Sequence, residues 1–416
     1  MTPEIKQRIE QIRREEVPEG YKKTKHGVLP NEWTVLRVGE CLQRVGMPVK
    51  IQPNQLYTQI GIRSHGKGLF YKEPVTGAAL GNKSVFWIEP DCFIVNIVFA
   101  WEQAIGKTTQ AEVGMIASHR FPMYRPIDNK VDINYLIAFF LTKRGTDVLE
   151  GASPGGAGRN KTLGQDRFSK SMVVLPPIEE QQKIAAILTT QDKVIELKEK
   201  LLAEKQRQKK YLMQQLLTGK KRLPGFSGEW SFLKAKEIFQ NISDKDHNGD
   251  LPVLSSTQDK GIVPRDEVDI DIKYDTCSLV TYKKVSKGNF VISLRSFQGG
   301  IEYSTYTGLV SPAYTVLSSR KEISDEYYKQ FFKSTDYINR LNVAVYGIRD
   351  GKQISYEDFG RLRIPYPPIK EQDAIAEVLS TADHEIDLLQ QDIEQEKQKK
   401  KALMQLLLTG IVRVCG

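Results

Sequence analysis

The chain has 416 residues, 40% of them hydrophobic and 27% charged, so it is too long for one ordinary domain and has the balance of a soluble globular protein. Its net charge of +9 permits contact with nucleic acid through phosphate neutralisation but does not demand it. Four cysteines and five histidines are scattered along the chain, which argues against a disulfide framework and against a structural zinc site.

Residues 1–20 read as an N-terminal helix. "IKQRIEQIRRE" places Ile5, Ile9 and Ile12 on one face, and the segment lacks the apolar core of a signal peptide. The expected location is therefore the cytoplasm. Residues 21–175 read as a first mixed domain that opens on "GVLPNEW", with Pro30 and Trp33. Its longest apolar run, "CFIVNIVFAW" from Cys92, is half a membrane span and is expected to be one buried strand. "INYLIAFFLTKRGTDVLE" is expected to be one helix.

Residues 176–219 begin "PPIEEQQKIAAILTT" and end "LLTG". Prolines open the segment where a missing N–H costs little, Gly219 closes it, and no Gly or Pro intervenes, so it reads as helix. Unbroken, such a helix is about 60 Å long. Thr189 with Asp192 has capping-box spacing, which leaves a short helix leading into a long one as an equal reading. Residues 220–366 form a second mixed domain opening "RLPGFSGEW", with Pro224 and Trp230, and carrying "SDEYYKQFFKSTDYINRL" as its expected helix. Residues 367–416 then repeat the helix, from "PPIKEQDAIAEVLST" to "LLTG", with Ser380 and Asp383 in place of Thr189 and Asp192.

The two helical copies align without a gap. Leu188, Ile195, Leu202, Lys209 and Leu216 recur every seven residues, as do Leu379, Ile386, Ile393, Lys400 and Leu407. That is a coiled-coil seam with polar interruptions. The mixed domains also match faintly: Phe93 aligns with Phe290, Phe168 with Phe359, Leu36 with Leu233 and Glu40 with Glu237. The expected fold class is α+β. Two mixed α/β domains are separated by two long helices packed as an antiparallel coiled coil, in a pseudo-two-fold internal repeat.

"LPPIEEQ" and "YPPIKEQ", each followed by a long helix ending "LLTG" and each standing after a domain that opens "LP…W", make the chain resemble the specificity subunit of type I restriction–modification enzymes. The resemblance covers nearly the whole length. It implies that residues 21–175 and 220–366 are target-recognition domains, each reading half of a bipartite DNA site. It implies that the helices space these domains and bind methylation subunits. The implied partners are double-stranded DNA, two methyltransferase subunits and, through them, restriction endonuclease subunits, with no membrane. The chain itself is implied to carry no catalytic residue, no cofactor and no metal.

The residues agree with a chain that performs no chemistry. Gly106, Lys107 and Thr108 could end a phosphate loop, but Trp101 stands where that loop needs glycine. Asp271 and Lys273 lack an upstream acidic partner for a nuclease site. A specificity subunit of a related type II-like modification system stays as an alternative. A stand-alone nuclease stays as a remoter one, supported only if the purified chain cleaves DNA unaided.

Bases are read by donors and acceptors carried on loops. "GIRSHGKG" offers Arg63, Ser64, His65 and Lys67, and the equivalent "SSTQDKG" offers Ser256, Gln258 and Lys260. A second pair of loops offers Gln103 and Lys107 beside Trp101, and Arg295 and Gln298. The glycine-rich "SPGGAGRNKT" adds Arg159 and Lys161, and "YGIRDGK" adds Arg349 and Lys352. Similar loops bearing different side chains suit a split, non-palindromic target, with the helices as the ruler for its unread spacer.

Overall fold

The computed structural model describes residues 2–81, 83–155, 161–258, 260–268, 276–294, 296, 300–344 and 354–414. Contacts divide them into two units, Met1–Leu197 with Ile393–Gly416, and Lys198–Asp392.

In the first unit, short runs of β-branched and aromatic residues form a four-stranded antiparallel sheet. Its order is Ile105–Lys107, Phe93–Val95, Met123–Pro126, Leu42–Val45. A second ladder pairs Thr34–Arg37 with Met172–Leu175, so the way into the domain lies beside the way out. The run "CFIVNIVFAW" is shorter as a strand than expected: only Phe93–Val95 is extended, and it is fully buried. Asn96 ends it. Its side-chain oxygen accepts from the Val98 N–H at 3.1 Å, and its carbonyl accepts from the Phe99 N–H at 3.1 Å. A short polar side chain that bonds its own downstream backbone favours a turn over a strand.

The expected single helix of this domain is two, Ile133–Phe140 and Lys143–Gly151. Thr142 makes the break. Its hydroxyl donates to the Phe139 carbonyl at 2.6 Å and accepts from the Gly145 N–H at 3.1 Å, which caps the second helix. Gly145 allows the sharp corner, because a β-carbon there would stand 2.1 Å from the Phe139 carbonyl oxygen.

The second unit repeats the frame. Its sheet runs Phe239–Ile242, Thr315–Ser319, Phe290–Ile292, Glu302–Tyr303, which is the same topology taken from the opposite edge. Its ladder pairs Ser231–Lys234 with Arg363–Tyr366. Again the expected helix is two, Asp325–Phe332 and Thr335–Ala344, with Ser334 at the break accepting from the Tyr337 N–H. Aligned phenylalanines hold equivalent places. Phe93 and Phe168 lie 5.5 and 5.9 Å from the Phe140 ring, and Phe290 and Phe359 lie 5.3 and 6.1 Å from the Phe332 ring.

Each repeated segment is one unbroken helix of 39 residues, Ile178–Leu216 and Ile369–Leu407. The capping-box spacing does not interrupt either, because the apolar stripe continues through it: Ile184, Leu188 and Ile195 are buried, as are Ile375, Leu379, Ile386 and Ile393. In the first unit, Gln191 Nε2 donates to Glu396 Oε2 at 2.6 Å and Lys400 pairs with Asp192 at 2.5 Å. In the second, Lys209 pairs with Asp383, Lys205 with Glu385 at 2.7 Å and Lys198 with Asp392 at 2.7 Å. In the second unit, falling numbers on one helix meet rising numbers on the other, and in the first Glu180 meets Arg413 while Gln191 meets Glu396, so the packing is antiparallel. The polar seam positions carry the matched pairs that set this register.

The repeated "PPIxEQ" is the joint between helix and domain. Glu180 is buried, and its carboxylate accepts from the Trp33 indole N–H at 3.0 Å and from Arg413 at 2.7 and 2.9 Å. Glu371, fully buried, accepts from the Trp230 indole at 2.9 Å and from Arg222 at 2.5 and 2.7 Å. Each glutamate thus gathers the tryptophan of the domain opening and an arginine just past the end of the opposite helix. The next residue fastens the helix to the domain's own helix pair. Gln181 accepts from the Asp132 N–H at 2.9 Å, and Gln372 accepts from the Ser324 N–H at 2.9 Å. Buried polar groups require such partners, which is why these residues stand in both copies.

Candidate nucleic-acid interface

The two loops singled out by sequence are hairpin turns in equivalent places. In the first unit the turn joins Ile60–Ile62 to Leu69–Tyr71; in the second it joins Leu254–Thr257 to Gly261–Pro264. Each return strand starts from a glycine in the left-handed region, Gly68 at φ 74° and Gly261 at φ 75°, a conformation that glycine adopts without strain.

The first hairpin gathers most of its candidates. Arg63 is exposed, but its guanidinium donates to the Leu69 carbonyl at 2.7 Å and lies over the Phe70 ring at 5.0 Å, so it clasps the hairpin's own strands. The Ser64 hydroxyl donates to Glu102 Oε2 at 3.0 Å. The His65 N–H donates to the Glu102 carbonyl at 2.8 Å and the Gly66 N–H to the Gln103 carbonyl at 2.9 Å. These bonds leave the His65 and Lys67 side chains exposed at the tip. The Gln103 amide nitrogen donates to the Thr146 hydroxyl. Lys161 approaches the same turn, with its ammonium 5.2 Å from the Trp101 ring centre. Lys107 points elsewhere, at the far end of its strand from Gln103, and pairs with Asp91 at 3.3 Å. Arg159 lies outside the described residues.

In the second hairpin, Ser256 is half-buried in its strand, facing Ile262 across the ladder. Gln258 is exposed, and its carbonyl accepts from Lys333 at 3.2 Å. Lys260 is exposed, and its ammonium bonds the Glu267 carbonyl at 3.5 Å. Arg295, Gln298, Arg349 and Lys352 lie outside the described residues. The supports beneath both hairpins were missed in the sequence: Glu102 and Thr146 in one unit, and Lys333 with its buried ion-pair partner Glu302 in the other. Thr146 and Lys333 lie at or near the helix breaks, Glu102 in a short turn and Glu302 in a strand, and spacing alone connects none of them to a hairpin elsewhere in the chain.

The arrangement offers cations and hydrogen-bond donors on turns, and thiols that are withdrawn from chemistry. Burial pushes the Cys41 thiol up to about 11 and raises that of Cys92. Among the described residues, no group of three or more His, Cys, Asp or Glu side chains could hold a metal ion, and no helix is long and apolar enough to cross a membrane.

Two like units, each with a mixed sheet, a helix pair and a polar hairpin, and each packed on parts of both long helices, define an internally repeated α+β class of protein. Comparison with known proteins says which. The family described as "Type I restriction modification DNA specificity domain" matches residues 82–206 and 228–398, and the chain belongs to it. It is therefore a DNA-specificity subunit of type I restriction–modification, the non-catalytic component that binds DNA within a complex with restriction–modification subunits. It is 25% identical over 428 residues to a Methanocaldococcus jannaschii chain assigned as the MjaX type I restriction enzyme specificity subunit, covering 95% of this chain and 97% of that one. It is 24% identical over 429 residues to the MjaVIII specificity subunit of the same organism, covering 94% and 96%. The fold is similar to the HsdS subunit from Thermoanaerobacter tengcongensis, with TM-score 0.53 and 19% identity over 92% of this chain and 98% of that one. It is also similar to a chain from a structure of type I R-M complex assembly and conformational transition, with TM-score 0.58 and 20% identity over 92% and 99%.

Proposed function

We propose that each unit reads one half of a bipartite, asymmetric DNA target. The observation that carries this reading is the pair of equivalent hairpins: one frame, held by supports of unlike chemistry, presents His65 and Lys67 in one unit and Gln258 and Lys260 in the other. Identical hairpins would suit a palindrome; unlike ones suit two different half-sites. Arg63, Ser64, Gln103, Lys161, Ser256, Arg295, Gln298, Arg159, Arg349 and Lys352 complete the proposed DNA-binding set, with the exposed side chains at the tips as base readers and the rest as phosphate contacts or supports, and Lys107, paired with Asp91 away from the hairpin, belongs to it only as a separate phosphate contact.

The helices Ile178–Leu216 and Ile369–Leu407 set the unread spacer in this reading. Their repeated outer faces suit two copies of a methyltransferase subunit, and restriction subunits join through those. The test is co-expression with the cognate methyltransferase and mapping of methylated adenines across a genome. Replacing residues 63–67 by the equivalent stretch of a relative should change one half of the methylated motif and leave the other half and the spacer alone. A change in both halves, or in neither, would sink the reading.

A further inference from the structure

The tip of the first hairpin rests on a platform. The Ser64 hydroxyl and the His65 N–H both bond Glu102, and the Gly66 N–H bonds the Gln103 carbonyl at 2.9 Å. A β-carbon on Gly66 would stand 2.6 Å from Leu141 Cδ2, so the tip is seated directly on the break between Ile133–Phe140 and Lys143–Gly151. Gln103 follows the short turn Ala100–Glu102 in the left-handed region, at φ 59°. In that conformation its amide nitrogen donates to the Thr146 hydroxyl. Thr146 sends its own proton to the Thr142 carbonyl at 2.9 Å, which leaves its oxygen to accept. The chain of bonds therefore runs from the helix break, through Thr146 and Gln103, to the hairpin backbone. A glutamine that reads adenine must present its amide oxygen and nitrogen together. Here one of the nitrogen's two N–H donors is already held by Thr146, which ties the amide's orientation to the helix rather than leaving it free to turn toward a base.

We infer that Gln103 is a positioning residue, and that its bond to Thr146 fixes how the 63–67 hairpin presents His65 and Lys67 to DNA. This rests on the proposed reading of one half-site by that hairpin.

The experiment uses the full chain assembled with its methyltransferase subunits. It measures binding to the target duplex and to duplexes carrying single-base changes in either half-site. Thr146→Val removes the acceptor and keeps the shape, while Gln103→Ala removes the donor. Each should lower discrimination at the first half-site about 3- to 10-fold, the range of one hydrogen bond, with the second half-site unchanged. The double variant should be no worse than either single one, because both break the same bond. Thr146→Ser, which keeps the hydroxyl, should restore what Thr146→Val loses.

If Gln103 reads a base directly, Gln103→Ala loses discrimination while Thr146→Val does not, and the inference is overturned. Should Thr146→Val fold poorly, Thr146→Ala takes its place, since it also removes the acceptor: loss of first-half discrimination there supports the positioning role, and wild-type discrimination there overturns it. His65→Ala with Lys67→Ala is the separate arm for the reading itself. No change there removes the reading and the inference with it. A loss there beside a wild-type Thr146→Val removes the inference alone.

Discussion

Glu180 shows how much one side chain in a repeated motif holds together. It is buried, and it is the common acceptor for an indole and a guanidinium drawn from distant parts of the chain. Glu180→Ala leaves both donors without it and should cost about 3 kcal/mol of stability in the first unit, by the rule for breaking a buried pair. The exposed neighbour Glu179→Ala should change stability by less than about 0.5 kcal/mol. Denaturant melts of the two variants check this, and equal effects would show that the glutamate is not a joint. The buried thiols give a second residue-scale prediction. Cys41, with its thiol pushed up to about 11 by burial, and Cys92, raised in the same way, present little thiolate near pH 8. Neither should be alkylated by iodoacetamide in the native protein, and both should be after unfolding, as read by peptide mass spectrometry.

At the scale of elements, the helix pair of each domain was legible as helix but not as two. The sequence stretch is helical in composition, and Thr142 or Ser334 in its middle could equally have pointed into solvent. What decides is the hydroxyl's capture of backbone N–H groups at a corner, which only the folded chain displays. Gly145 gives the test. Gly145→Ala puts a methyl group 2.1 Å from the Phe139 carbonyl oxygen, and should cost up to about 3 kcal/mol as overpacking. Gly151→Ala, in the same helix with nothing within 4 Å of the new carbon, should be neutral or gain up to about 1 kcal/mol. Thermal melts of the pair compare them directly. The long helices behaved otherwise. Their stripe and their closing glycines were written plainly, and the pairs Lys400–Asp192 and Lys209–Asp383 fall at repeat-equivalent positions, so the polar breaks in the seam became its register marks.

For the whole molecule, the chain's ends matter as much as its middle. In the first unit the Tyr21 hydroxyl donates to the Gly410 carbonyl at 2.7 Å, Arg8 to the Ile411 carbonyl at 2.7 Å, and Arg413 pairs with Glu32 and Glu180. The second unit makes the matching joint, Arg222 on Glu371, with an arginine from the middle of the chain, between the helix Ile178–Leu216 and Trp230. Deleting residues 410–416 should therefore loosen the first unit selectively. Hydrogen exchange should quicken at Ile178–Leu188 and stay near wild type at Ile369–Leu379; equal quickening in both would contradict the assignment of that joint. Binding belongs to this scale too. With a net charge of +9 and the phosphate contacts proposed for both units, DNA affinity should fall steeply with salt, with a log–log slope of roughly −5 or steeper. Titrations at several salt concentrations measure it.

By itself the sequence determined the two-copy plan, the unbroken apolar stripes, the glycine-closed helix ends and the family, because periodicity, turn residues and a repeated motif are local and survive without coordinates. It also pointed to two loops that the fold builds as hairpin turns in equivalent places of the two units. Only the tertiary structure decided what each candidate does there. Arg63 clasps its own hairpin, Gln103 reaches Thr146, Lys107 meets Asp91, and His65 and Lys67 stay exposed. The reason is physical: whether a polar side chain is free to bind depends on which donors and acceptors the fold brings within about 3 Å of it, and those come from residues far away in the chain.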